Sequence, residues 1–249
     1  MALFSLRLHA QSSVRLVDCG VIGVLEAQVD DPSTDAIEWD RFSRLSAAAR
    51  QILALQLPAG EVILDVGGYD GALALSLPCH RVWVVDPATT GAPGDVVPVG
   101  DKQFNVVVSV DALEHVERPQ RAAFLRELVR VCRSTLLINT PAARSMDAQR
   151  TVYALTGHRF IGEHVNLVLP SADETAAQLR QIDSYVAISA VEFTSIAAWV
   201  PWFVLLQKDR PSAMVVSAML KENTALSNQS PYLYDLLVCT LGVSVLSTA

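Results

Sequence analysis

The chain has 249 residues, 51% of them hydrophobic and 18% charged, enough apolar material for the core of one domain. Its formal net charge of −7, with no run of Lys or Arg, argues against nucleic acid as a partner, because phosphate binding needs a basic footprint. Cys19, Cys79, Cys132 and Cys239 form no CxxC pair and have no His at metal-finger spacing, so they read as buried thiols of a reducing, cytoplasmic protein.

The N-terminal stretch MALFSLRLHAQSSVRL carries Arg7 and Arg15 within its apolar portion and lacks the order of a signal peptide. Residues 1–58 are expected to be a helical segment ending in a helix over Trp39–Leu57, where apolar residues recur at helical spacing before Pro58-Ala59-Gly60. EVILDV, ending in Asp65, suits a strand buried on both faces, and GALALSL after the glycines suits a helix stopped by Pro78. HRVWVVD is a second buried strand that again ends on an acid, Asp86. VVPVG is expected to be a short third strand and FNVVVSV (Phe104–Val110) a strong fourth. RPQRAAFLRELVRVC then reads as an amphipathic helix and STLLINTP as a fifth strand.

Strands alternating with helices at this spacing predict a Rossmann-like α/β fold, a parallel sheet with helices on both faces. Beyond Pro141 the pattern loosens into a loop over Ala142–Pro170, a helix from about Ser171 to Gln181 and apolar stretches able to complete the sheet. One domain is expected, with a cofactor-binding half at 59–141 and a substrate-side, sheet-completing half at 142–249. FTSIAAWVPWFVLLQK is interrupted by Pro201 and is shorter than the roughly 18–20 residues of a membrane span.

A parallel sheet takes its ligand at the carboxyl ends of its strands, which directs attention to EVILDVGGYDG (Glu61–Gly71). Glycines there let backbone approach a ligand and adopt angles that a side chain forbids. Gly67, Gly68 and Gly71 do not fit the G-x-G-x-x-G dinucleotide fingerprint, and no P-loop lysine follows. Asp86 closes the second strand where a carboxylate accepts both ribose hydroxyls of a nucleoside.

The loop resembles the acid-x-G-x-G-x-G motif of class I S-adenosylmethionine-dependent methyltransferases, with Asp65, Gly67 and Gly71 in register. The block from FNVVVSV through Asp111-Ala112-Leu113-Glu114-His115-Val116 to STLLINTP resembles the type 11 methyltransferase group, and YALTGHRFIGEHVNLVLPSADE continues that resemblance. The resemblance implies S-adenosyl-L-methionine as cofactor, bound by Asp65, Gly67, Gly68, Tyr69, Gly71, Asp86 and Asp111. Asp101 is its implied partner for the adenine amino group.

Two departures stand out. Tyr69 replaces the family's second glycine, putting a Cβ where positive φ is often needed; it is either a pocket wall or a plug. The stretch between Asp86 and Phe104 is too short for a helix and a full strand, and Asn105 stands where the family has an aspartate.

His115 and His164 are the candidate catalytic bases, each beside a glutamate (Glu114, Glu163); the plainer alternatives are that Glu114 and His115 cap or orient the following helix and that His164 sits on an ordinary surface loop. Some relatives with an acid-x-x-Glu-His block hold a divalent ion with it, which here would draw on Asp111, Glu114, His115 and His164; the block is widespread without one, and no metal is assigned. His158 and His80 read as surface or packing residues, Trp199 and Trp202 as core or acceptor-pocket wall. The leading reading is methyl transfer to a small-molecule or glycan-type acceptor, by weak preference a hydroxyl. The alternative is an inactive binding or scaffolding module, and a third is an NAD-type protein, disfavoured by the glycine spacing.

Overall fold

The computed structural model describes residues 13–242. The signal-peptide question falls on a segment most of which lies outside them. An eight-stranded sheet runs in the order β1-β2-β4-β3-β5-β6-β8-β7. Its centre is parallel: β3 (Val62–Val66) lies between β4 (Arg81–Val85) and β5 (Phe104–Val110), and β5 pairs with β6 (Cys132–Pro141). Antiparallel strands complete both sides, β1 (Val14–Asp18) and β2 (Leu25–Val29) beyond β4, β8 (Tyr232–Thr240) and β7 (Ala187–Ser195) beyond β6. The sheet is therefore mixed around the expected parallel core.

Side chains alternate across it. Ile63, Val106, Val108 and Leu137 pack on one face with α1 (Trp39–Ala54), α3 (Met146–Thr156), α6 (Ile196–Lys208) and α7 (Arg210–Glu222). Leu64, Val107, Leu136 and Ile138 pack on the other with α2 (Arg121–Val131) and α5 (Ala172–Ile182). Burial on both faces is why the central strands read as continuous apolar runs.

Four expectations need correction. Residues 14–29 form a hairpin, so among the described residues the N-terminal segment is helical only from Trp39. Ala72–Ser76 is a short 3-10 turn, because Gly71 and Pro78 leave too little chain for more. VVPVG is not a strand: the Val97 N–H donates to Glu127 Oε1 at 2.8 Å, while the Val97 and Val99 carbonyls accept from Arg130. The supposed loop after Pro141 holds α3 and α4 (Arg159–Leu167); α3 buries only Gln149 and Val152, too narrow an apolar stripe to register as periodicity.

α5 begins where Ser171 Oγ accepts from the Glu174 N–H at 3.1 Å, the serine half of a capping box. α6 runs through Pro201 without interruption and turns Trp199, Trp202 and Phe203 inward. Among the described residues no helix is long and apolar enough to cross a membrane. The cysteines are free, but only Cys132 and Cys239 are buried; Cys79 is exposed and Cys19 half-buried.

Candidate active site

The carboxyl ends of β3, β4 and β5 open into a cavity of about 610 Å³. Gly67 follows β3 at φ +85°, its N–H donating to Val85 O at 2.8 Å; a Cβ there would lie 2.5 Å from the Ala112 Cβ. Tyr69 sits at φ +47°, the left-handed backbone anticipated from its place in the loop. Its half-exposed side chain lines both this cavity and a neighbouring one of about 730 Å³. It is a shared wall. Asp70 anchors the loop by accepting from the Ala72 N–H at 3.1 Å and pairing with Arg41.

Asp65 is buried and lines the cavity, with Oδ1 lacking any hydrogen-bond partner. Burial pushes its carboxyl up to about 7; Arg41 opposes the shift, and Asp70 and Asp86 add to it. Asp86 is also buried at the cavity, its Oδ1 accepting from the Ala88 N–H at 2.8 Å. This end of the cavity is acidic and holds an orphaned carboxylate oxygen, which fits a ligand carrying positive charge or hydroxyl donors. Gly67 and Gly68 line it; Gly71 instead faces β2, where a Cβ would come 2.7 Å from that of Ala27. Asp101 does not join the site. Its largely exposed carboxylate pairs with Arg130 at 2.7 Å, outside the cavity lining. Asn105 donates to Glu61 Oε1 at 2.8 Å, also away from the cavity.

Asp111, after β5, lines the cavity at φ +52°. It forms an ion pair with Arg44, which also reaches Asp40 Oδ2 at 3.3 Å and lies 5.4 Å from the centre of the Tyr234 ring. Tyr234 Oη donates to Asp40 Oδ1 at 2.8 Å. Sequence reasoning missed Asp40, Arg44 and Tyr234, which join α1 to β8 along the cavity wall. Asp40 and Arg44 have the i, i+4 spacing of an ordinary surface ion pair, so the sole signal was ambiguous.

His115 and His164 do converge, their ring centres 5.0 Å apart at the cavity. The His115 Nδ1 contacts Glu163 Oε2 at 3.1 Å, and the His164 Nδ1 contacts Gln149 Oε1 at 3.3 Å. Burial lowers both imidazoles, His164 to about 3. Glu114 is fully buried beneath them, raised by desolvation, with neither carboxylate oxygen hydrogen-bonded. Its carboxylate caps no helix. His164 is not on a surface loop but within α4.

The wall beside the histidines is aromatic. Trp199, Trp202 and Phe203 come from α6, Phe160 from α4, and His158 packs edge-on to Phe203 at 5.1 Å between ring centres. Trp202 is fixed by donating from Nε1 to Ser217 Oγ at 2.9 Å, and Trp39 packs against it in a T-shape at 5.3 Å. His158 therefore contributes to the cavity.

A family model described as a methyltransferase domain matches residues 39–183, more than half of the chain. No curated protein matches significantly. Among solved structures, a protein from Anabaena variabilis described as a methyltransferase of an antibiotic biosynthesis pathway shares 16% identity, with a TM-score of 0.54 over 80% of this chain and 100% of its own. A Thermotoga maritima protein described as an S-adenosylmethionine-dependent methyltransferase, possible histamine N-methyltransferase, shares 15% identity, with a TM-score of 0.50 over 82% of this chain and 92% of its own. The plantazolicin methyltransferase BpumL, solved with S-adenosylhomocysteine, shares 11% identity, with a TM-score of 0.50 over 82% and 85%. Such identities speak to fold alone. Together with the family match, they mean that this chain belongs to the methyltransferase-domain family and is a class I, S-adenosylmethionine-dependent methyltransferase.

Proposed function

We propose that the protein methylates a hydroxyl of a small-molecule or glycan-type acceptor, with S-adenosylmethionine held at the acidic, glycine-lined end of the cavity. The observation that carries this reading is the two-ended cavity itself: carboxylates and bare backbone at one end, aromatic rings at the other, and an imidazole pair alongside. S-adenosylmethionine supplies a methyl group already activated on a sulfonium, so most of the protein's contribution is positioning. Asp86 is assigned to the ribose hydroxyls, Asp65 to the positively charged part of the cofactor, and Gly67 and Gly68 to close backbone approach. Tyr69 closes the side toward the second cavity, and Asp111 shapes the far edge through Arg44. Asp101 is not retained as a cofactor residue.

The aromatic wall supports an acceptor with flat or apolar faces, and Glu38, Asp40 and Arg210 at the cavity supply polar partners for its substituents. A hydroxyl stays protonated near neutral pH, so its proton must be received beside the reacting oxygen. His115 and His164 are the imidazoles on that wall, and burial favours their neutral forms. Titration calorimetry with S-adenosylmethionine and S-adenosylhomocysteine, alongside Asp86→Ala, tests the cofactor assignment. Micromolar binding that collapses in the variant supports it; equal binding by both proteins removes Asp86 from the site. Absence of heat with the native protein favours the inactive binding module.

A further inference from the structure

One cluster in the cavity wall lacks partners in a way that neither cofactor nor acceptor binding explains. Glu114, His115 and His164 each present a ligand atom, and these atoms lie within 4.8 Å of one another. Both Glu114 oxygens and the His164 Nε2 are buried without a hydrogen-bond partner. Burying such a group unpaired is costly, and three such atoms together call for a ligand.

The surroundings narrow what that ligand is. Two guanidinium groups act electrostatically on Glu114, those of Arg44 and Arg121, and both are engaged elsewhere. Arg44 pairs with Asp40 and Asp111. Arg121 donates to the carbonyls of Val116, Leu167 and Val168. The imidazoles are oriented from outside the cluster. Glu163 Oε2 engages Nδ1 of His115, and Gln149 Oε1 engages Nδ1 of His164, which leaves Nε2 as the remaining nitrogen of each ring. An acceptor fixed on one ring nitrogen sets the tautomer that presents a lone pair on the other, the arrangement found behind metal-binding histidines.

We infer that Glu114, His115 and His164 form a binding site for one divalent transition-metal ion, with Glu163 and Gln149 as positioning residues. Two imidazoles and one carboxylate favour a transition ion such as zinc, iron or cobalt over calcium, magnesium or manganese, which prefer oxygen ligands. A small closing movement brings the three atoms to the roughly 2 Å separation from a common centre that such ions require. Three protein ligands leave an open position, and because both histidines line the cavity it faces the acceptor end. Asp111 is not a ligand here, since Arg44 holds it. The inference deepens the proposed function and rests on it: the two histidines would serve as ligands rather than free bases, the ion would lower the pKa of an acceptor hydroxyl at its open position, and the proton released would pass to solvent as the oxygen takes the methyl group from the sulfonium. Metal binding is nonetheless measurable without cofactor or acceptor.

The test uses the full chain, stripped with chelator and then given Zn²⁺ or Co²⁺ alone. Retained metal, the Co²⁺ visible spectrum and the melting temperature are followed. One equivalent retained per chain, a d–d spectrum of low coordination number and a raised Tm are expected. His115→Gln and His164→Gln, conservative in size, should each abolish stoichiometric retention. Glu163→Ala should weaken affinity by about 10–100-fold, with Glu163→Gln restoring most of it by keeping the acceptor oxygen. Metal retained equally by both histidine variants, or no retention by a native protein of unchanged melting profile, overturns the inference. Calorimetry with S-adenosylmethionine on the same samples reports the cofactor site separately, so failure of one assignment is distinguishable from failure of the other.

Discussion

The two ends of the cavity are built in opposite ways. At the proposed cofactor end, Asp65, Gly67, Gly68, Tyr69 and Asp86 come from two adjacent parallel strands and the turns that follow them, close together in the chain. At the proposed acceptor end, Asp40 and Arg44 come from α1, His115 from the turn after β5, Phe160 and His164 from α4, Trp199 from α6 and Tyr234 from β8. The first end is local backbone geometry with few side chains. The second is tertiary packing, in which the groups that would contact an acceptor also hold helices onto the sheet. Substitutions at the first end should therefore change binding with little effect on folding, and those at the second should change both.

The largest expected effect tests the acceptor end. Trp199 is 1% exposed and packs with Phe203, so Trp199→Ala should destabilise the protein by about 3–5 kcal/mol. Chemical denaturation measures this, and a loss below about 1 kcal/mol would separate the aromatic wall from the fold.

Asp86→Ala probes the cofactor end. Loss of charge-assisted hydrogen bonds to a ribose should weaken S-adenosylhomocysteine by about 10–100-fold. The Tm should change little, although loss of the Asp86–Ala88 turn contact sets a small cost. A large drop in Tm would mean that the acid serves the fold first.

Asp65 links binding to pH. Its folded carboxyl holds a proton to about pH 7, whereas its ordinary value is 3.8. Unfolding across that window releases a proton, so stability should fall as pH rises from about 4 to about 7 and level off above. Asp65→Asn should flatten that slope. A cationic cofactor favours the ionised form, so its affinity should rise by up to about 10-fold per pH unit below 7 and plateau beyond. A flat affinity profile from pH 6 to 8 would show that Asp65 does not face the cofactor's positive charge.

The smallest effect is expected at Tyr69. Tyr69→Gly removes a side chain at φ +47° but adds chain entropy to the unfolded state, so the net stabilisation should be under about 1 kcal/mol. Because Tyr69 separates two cavities, the same variant should alter acceptor selectivity more than cofactor affinity. A change in cofactor affinity with unaltered selectivity would mean that the second cavity takes no part in acceptor choice.

These contrasts track what could be read from sequence. The central strands were legible to within a residue or two because burial on both faces writes continuous apolar runs, and the placement of Asp65, Gly67, Gly68 and Asp86 at the cavity, though not that of Gly71, was legible because a strand-end loop is a local object. Asp101 was misplaced because the short connection from Asp86 to Phe104 is held by Arg130, a residue of α2 that no local spacing ties to it. α3 and α4 were missed for different reasons: the inward face of α3 carries Gln149 beside a single buried valine, and α4 is only 9 residues long with Gly162 near its middle.

By itself the sequence determined the α/β class, the parallel core, the glycine turn and the two acids at the carboxyl ends of β3 and β4, all of which follow from short-range patterns of side-chain size and polarity. Tertiary structure alone decided that His164 meets Glu114 and His115 with both Glu114 oxygens and the His164 Nε2 left unpartnered, that Arg44 is spent on Asp40 and Asp111, and that Tyr234 closes the wall from near the other end of the chain. Those contacts join residues up to 194 positions apart. Their formation depends on which helix faces cover the sheet, an energy summed over the whole core, and no local spacing records it.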